Sequence, residues 1–470
     1  MFTQNVQKAP SWRIAYNIGC LFDYPTGMPI LGAKGESLIN GGLHHLTGIT
    51  GQANAVKTGN AIRQLLMPVA RYPGSEGAAY DTEDTLQETR LHNVAEQSTP
   101  ELLYTEEEIS GNPNINEFSV KNIAFTDLSQ YPDGEKFFSE FKEYGRSRPR
   151  NKADLKVTPF VGSDGKQIRV LPPSIALIDS LSMFQTGSVG ALQEKGEIGT
   201  SARNIEALRD NMAKNQMMLE LPKIAPTNGL FFIMTAHLGK VHQLDPMSPP
   251  AKTLSYLKAE LKLKNVPEKF SFLVHNLWFL FSMKPLLNQK TKTPQFPRDS
   301  NDNNVGESDL QIITCMNLRG KSGPSGTPFD IVLSQSDGIL ESMTEFWHAK
   351  KHKFGFGGND TNYYFELMPD VTLSRTTVRR KLDEDAKLRV ACRITADLVQ
   401  IKQYWHFLPD GLWCDAKTLY EDIKKAGYDW DRLLQTRGYW TFDQYDHPVP
   451  FLSTMDLLYM RKGTYKPYWY

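Results

Sequence analysis

The feature that most constrains the fold is a strand–loop–helix passage early in the chain. Residues 43–49 form a short apolar run, residues 51–58 a glycine-punctuated loop, and Ile62, Leu65, Leu66 and Val69 then recur at helical spacing. Pro68 lies inside that last pattern and is expected to kink or end the helix. The alternation returns downstream. Apolar runs at 77–80, 175–179 and 230–234 are interleaved with helical patterns, among them 134–144 and a stretch on which Ile205, Leu208, Met212 and Leu219 share one face. Strands alternating with helices predict an α/β fold with a mostly parallel sheet flanked by helices.

The chain has 470 residues, of which 40% are hydrophobic and 23% charged, so a packed core is expected and disorder is not. Its formal net charge is zero, so any nucleic-acid binding must come from local patches. Cys20, Cys315, Cys392 and Cys414 fit no zinc spacing and read as reduced, buried thiols. The first residues lack the pattern of a secretory signal, and the most apolar window, 270–283, is broken by Ser271, His275 and Asn276, so no membrane span is expected. Residues 1–42 read as an N-terminal segment suited to a subunit contact, and 43–340 as the core. An insertion occupies about 85–170, with a hairpin turning at Ser163-Asp164-Gly165, and a polar loop expected to be mobile spans 288–307. Residues 341–470 turn aromatic and basic and are expected to form a C-terminal α+β accessory domain.

Gly51, Gln52, Ala53, Asn54, Ala55, Val56, Lys57 and Thr58 have the spacing GxxxxGK[ST] of a phosphate-binding loop. That chemistry needs backbone N–H groups at a helix N-terminus to cradle phosphates, a lysine for the β- and γ-phosphates, and a hydroxyl for Mg²⁺. Val56 stands where the second glycine is usual, and by spacing alone the segment also fits an ordinary turn. The setting favours the phosphate loop: an apolar run before it, a helix after it, then two strands that end in the acids Glu83 and Asp179.

In order along residues 25–365, MPILGAKGESLINGGLHHLTGITGQANAVKT, AAYDTE, IALIDSLSMF, GLFFIMTAHLGK, MNLRGKSG and QSDGILESMTEFWHAKKHKFGF resemble the bacteriophage UvsX branch of the RecA recombinase family. The resemblance implies a DNA-dependent ATPase that uses ATP and Mg²⁺, forms helical homo-oligomers on single-stranded DNA and exchanges strands with homologous double-stranded DNA. It also implies the cytoplasm of an infected bacterial host, and partners such as a mediator and a single-strand-binding protein. Lys57 and Thr58 would bind phosphate and Mg²⁺, Glu83 would polarise the attacking water, and Asp179 would hold the magnesium shell. His237, at a strand end, would sense the γ-phosphate, and Arg319 and Lys321 would reach a neighbouring subunit's ATP. A satisfied strand-end histidine and solvated loop cations remain open for these three. A RecA-fold hexameric helicase and a non-hydrolysing DNA scaffold are the alternative functions. The short stretch before the loop favours the recombinase over the helicase, and the intact Lys57, Thr58, Glu83 and Asp179 speak against the scaffold.

Two loops, 185–200 and 238–264, are the expected single-strand contacts. The second carries Lys240, Lys252, Lys258, Lys262 and Lys264, a spacing that suits phosphate tracking, although Lys258 and Lys262 could also be one solvated helix face. Arg379, Arg389 and Arg393, with Arg375 stacked on Arg379 in a helix, could form an accessory DNA-gathering surface or a plain amphipathic one.

Overall fold

The computed structural model of the chain describes residues 13–52, 54–84, 86–127, 129–131, 133–148, 154–184, 201–241, 254–299, 301–334 and 337–470, with the backbone alone for 201–209. Its centre is a ten-stranded sheet. The strands, in chain order, are β1 (Leu46–Gly51), β2 (Glu76–Asp81), β3 (Ile123–Thr126), β4 (Ser174–Asp179), β5 (Leu230–Lys240), β6 (Leu261–Leu263), β7 (Asn276–Pro285), β8 (Leu310–Gly320), β9 (Pro328–Ser334) and β10 (Gly338–Ile339). The spatial order is β10-β9-β8-β7-β1-β5-β4-β2-β3, with β6 paired to β5. From β7 to β3 all neighbours run parallel. β8, β9 and β10 add an antiparallel edge, and β6 folds back antiparallel on β5. The fold is α/β, with a mostly parallel sheet flanked by helices.

Every residue of β1 and β4 is buried, as strands covered on both faces require. Helix α1 (Lys57–Arg71) buries Ile62, Leu65 and Leu66 completely. It runs three residues past Pro68, because the proline ring falls in the last turn and its carbonyl still accepts from Tyr72 N–H at 3.0 Å. Helices α2 (Glu88–Ser98) and α3 (Gly134–Ser147) belong to the insertion, which also carries the antiparallel hairpin Lys156–Val161/Gln167–Val170 turning through Gly165 at φ 76°.

Helix α4 (Ser201–Asn228) corrects the face read from its sequence. Met212 and Leu219 are exposed, while Met217, Met218, Leu221 and Ala225 are buried. Two apolar stripes of the same period lie on opposite sides of this helix, and only packing against the sheet selects one. Ile205 and Leu208 fall where only the backbone is described. The window 270–283 divides into a short helix, Glu268–Leu273, and β7. The described part of 288–307 is anchored: Phe296 is buried against Phe346 at 5.3 Å, and Arg375 donates to Pro294 O at 2.6 Å.

Helix α5 (Glu341–Lys351), a three-stranded antiparallel sheet between Phe356 and Leu373, and helices from Val378 onward, including α6 (Ala386–Tyr404), make up the C-terminal α+β region. Its residues enter the main core. Trp440 is fully buried against Tyr72 of the α1 C-cap at 4.6 Å and against Tyr16 at 5.3 Å, joined there by Phe442 and Phe451. Of the N-terminal segment, Tyr16, Ile18 and Phe22 lie in the same core. All four cysteines are buried and free. Among the described residues no helix is long and apolar enough to cross a membrane.

Candidate nucleotide site

The carboxyl ends of β1, β2, β4 and β5 stand level, since Gly51 pairs with His237 and Asp81 with Asp179. A cleft of about 740 Å³ opens there, lined by the loop after β1, Glu83, Arg90, Asp179 and the β5 residues His237–Lys240. Ligands of open α/β sheets gather at this edge. Ala53 lies outside the described residues.

Asn54 and Val56 hold the loop in left-handed conformations, at φ 60° and 52°. Val56 is the N-cap of α1 and supplies no side-chain cap, so the first amides of the helix are left to other partners. Lys57 Nζ donates to Gln52 O at 3.0 Å, which folds the lysine back over the loop. Burial draws its pKa down, against the opposing pull of Asp179 and Glu83.

Thr58 Oγ1 donates to Asp179 Oδ2 at 2.6 Å, and Thr235 donates to the other carboxylate oxygen. Burial raises the Asp179 pKa, with the Thr235 and Thr58 hydrogen bonds opposing it and Glu83 and Asp81 adding to it. A buried carboxylate with the Thr58 hydroxyl beside it fits the surroundings of a divalent cation. Among the described residues no group of three or more His, Cys, Asp or Glu could hold a metal unaided. Mg²⁺ is commonly held by one or two protein oxygens together with substrate phosphates and water, which is what this pair offers.

Two backbone devices aim Glu83. The Asp81 carboxylate accepts from the N–H groups of Glu83 and Leu86 and turns the chain after β2. Thr82 N–H donates to Asp179 O at 2.8 Å, while Thr82 Oγ1 accepts from Ser180 N–H at 2.7 Å. Glu83 Oε1 then meets His237 Nε2 at 2.5 Å and accepts from Ser180 Oγ. His237 sits inside β5, three residues short of its end, and not at a strand terminus as its sequence suggests, because the pairing with β6 prolongs the strand to Lys240.

The structure thus brings Gly51, Gln52, Asn54, Ala55, Val56, Lys57, Thr58, Glu83, Asp179, His237 and Lys240 to one cleft. Arg90, on α2, is the residue the sequence reading missed. Its position seven residues after Glu83, on the first turn of the next helix, was the available signal.

Arg319 and Lys321 lie elsewhere. Gly320 is level with Asn276, which pairs with Thr47, so both cations stand at the amino ends of the parallel strands. β8 stops at Gly320, leaving Lys321 just beyond the strand, where it donates to Leu273 O at 2.7 Å while Arg319 covers the exposed Phe272 ring. Lys240, Lys258, Lys262 and Lys264 are exposed on and beside the β5–β6 hairpin. Lys258 precedes β6 and Lys262 lies within it, so no helix carries the pair. Lys252 and the 185–200 loop lie outside the described residues.

The C-terminal arginines point inward. Arg379 is buried and paired with Asp309 at 2.7 Å, Arg393 is paired with Asp397 at 3.4 Å, and Arg389 caps Leu382 O and Asp383 O. Arg375 precedes the helix of Arg379, so the two do not stack. A DNA-gathering surface built on Arg379 and Arg393 is corrected on this ground: their charges are already matched inside the protein.

Fold and cleft together define an α/β protein whose cleft, lined by the loop after β1, lies at the carboxyl edge of a mostly parallel sheet. No family model and no curated protein sequence matches the chain. Among solved structures it is similar to one described as the crystal structure of the RadB recombinase, with a TM-score of 0.33, 12% identity, and coverage of 64% of this chain and 92% of that one. It is also similar to a DnaB-like replicative helicase, described with its primase interactions, with a TM-score of 0.33, 14% identity, and coverage of 63% of this chain and 57% of that one.

Proposed function

We propose that this chain is a RecA-type ATPase that works on DNA, and specifically a strand-exchange recombinase of the phage UvsX kind. The observation that carries the reading is the convergence of Lys57, Thr58, Asp179, Glu83 and His237 on one cleft from four separate elements. Lys57 and the α1 amides hold the phosphates of ATP. Thr58 and Asp179 would hold Mg²⁺, which would supply charge neutralisation at the phosphates. Glu83 orients and polarises the water that attacks the γ-phosphorus, and His237 reports on that phosphate. Arg90 lines the same cleft and contributes a cation to the bound nucleotide.

Arg319 and Lys321 complete the site of a neighbouring subunit. Their position at the opposite sheet edge supports this, because a head-to-tail contact brings one subunit's amino edge against the next one's carboxyl edge. Such a heterologous contact forms a helix when it does not close. Single-stranded DNA binds along the lysines of the β5–β6 hairpin. Electron microscopy with single-stranded DNA and a non-hydrolysable ATP analogue tests the reading. Open helical filaments are the expected result, closed rings would favour a hexameric helicase, and dispersed particles would leave a non-assembling DNA-binding protein.

A further inference from the structure

Asp179 is held by both of its carboxylate oxygens. Thr58 Oγ1, on the first turn of α1, donates to Oδ2 at 2.6 Å, and Thr235 Oγ1, on the neighbouring strand, donates to Oδ1. Thr235 is fully buried and Asp179 is only 4% exposed, so bulk water does not compete for these bonds. Thr235 lies 56 residues beyond Asp179 and outside the phosphate-loop spacing, so it is the fold that brings the two together.

Strand register makes the second contact. Ile178 pairs with Met234 in the parallel ladder of β4 and β5, which puts Thr235 level with Asp179. Just past that level, Leu181 N–H donates to Thr235 O at 2.9 Å. On the other side, Thr82 N–H donates to Asp179 O at 2.8 Å, so the backbone around Asp179 is tied to both neighbouring strands. What the backbone leaves free is the rotation of the carboxylate plane, and the Thr235 hydroxyl removes it.

A threonine hydroxyl has one proton and two lone pairs. With its proton given to Oδ2, the Thr58 oxygen keeps its lone pairs for a cation. That arrangement needs Oδ2 to face Thr58, and Thr235 secures it by holding Oδ1. We infer that Thr235 is a positioning residue for the divalent cation, acting through Asp179 on the direction in which the Thr58 oxygen is offered. This rests on the proposed reading of Thr58 and Asp179 as the cation-holding pair and adds a residue to it.

The test titrates Mn²⁺, used in place of Mg²⁺ and followed by electron paramagnetic resonance, into the full-length protein with ADP bound. Wild type, Thr235→Val, Thr235→Ser and Thr58→Ala are compared, and ADP affinity in EDTA is measured for each. Partners that orient a metal-binding carboxylate are typically worth about 10–100-fold in metal affinity. Thr235→Val keeps the shape and removes the hydroxyl, so Mn²⁺ binding should weaken by about that factor while metal-free ADP affinity is unchanged. Thr235→Ser keeps the hydroxyl and should bind Mn²⁺ close to the wild-type level. A residue needed only for packing would give the reverse order, because valine fills the space better than serine. Wild-type Mn²⁺ affinity in folded Thr235→Val overturns the inference, and so does Thr235→Ser binding as weakly as Thr235→Val. If Thr235→Val does not fold, Thr235→Ala is read in the same way, and failure of both to fold makes the hydroxyl structural and overturns the inference too. Absence of Mn²⁺ binding by the wild type, or unaltered binding by Thr58→Ala, would instead overturn the reading of the cation-holding pair, and the inference with it.

Discussion

Val56 adopts φ 52° in a region that glycine enters freely and a β-branched residue does not, at a penalty of about 1–2 kcal/mol. Its side chain packs against the main core, which returns part of that penalty. Val56→Gly removes both terms and loosens the unfolded chain, so stability should change by only about 1 kcal/mol and nucleotide affinity should persist. Chemical denaturation and nucleotide titration check this, and a collapse of either would mean that the valine is essential to the loop. His44 and His45 make a second residue-scale case. Burial depresses both pKa values to about 4, His44 contacting Thr26 O and His45 stacking on Phe231 at 4.2 Å. An unfolded imidazole takes its proton near the ordinary value of 6.5, so the unfolded state binds protons first as the pH drops. Stability should therefore be full above pH 6.5 and fall on acidification toward pH 4, by at most about 3 kcal/mol per histidine. His44→Gln should flatten that slope in melting curves, and an unchanged slope would clear His44 of the effect.

The element that carries exposed lysines beside the cleft is the β5–β6 hairpin. Lys258 and Lys262 are exposed and have no ion pair among the described residues, so their charge is available to phosphate. Each phosphate contact on a single strand contributes about 0.7 to the slope of log affinity against log salt. Lys258→Ala/Lys262→Ala should lower single-strand affinity and reduce that slope by about 1.4 in anisotropy titrations. An unaltered slope would place the DNA path elsewhere. Helix α1 carries the loop at its N-terminus, while Arg63 at its middle and Arg71 at its C-terminus share Glu341 of α5 at 3.3 and 3.4 Å. Burial alone would raise the Glu341 pKa, and the two guanidiniums outweigh it and hold the carboxylate ionised.

At the scale of the molecule, that contact and the burial of Trp440, Phe442 and Phe451 make residues 341–470 part of the same fold as the central sheet. Deleting them strips aromatic packing from Tyr72 and leaves Arg63 buried without its counter-charge, so a chain ending at residue 340 should fail to fold cooperatively by calorimetry or circular dichroism. A stable, ATP-binding truncation would refute this. Assembly gives the other whole-molecule prediction. Lys57→Ala protein and Arg319→Ala/Lys321→Ala protein should each be inactive, and mixing them should restore hydrolysis at boundaries that pair one intact loop with one intact cation pair. A mixture that co-assembles on DNA yet stays inactive would exclude the shared site.

Much of the site was legible in the sequence because its parts are local. A loop of fixed spacing, an acid just past a strand and an acid ending another can each be read within a few residues, as Lys57, Glu83 and Asp179 were. The parallel strands were readable for the same reason, being continuous apolar runs. What the sequence could not determine was which of several equivalent surfaces faces inward. Met212 and Leu219 show the same helical period as the residues α4 buries, and Arg379 looks like a free cation until Asp309 lies against it. Periodicity and charge are properties of a segment, whereas burial and pairing depend on what another segment brings to it. The extension of β5 past His237, the placement of Arg90 in the cleft and the hydrogen bonds on Glu83 were decided the same way, by contacts between residues that are remote in the chain.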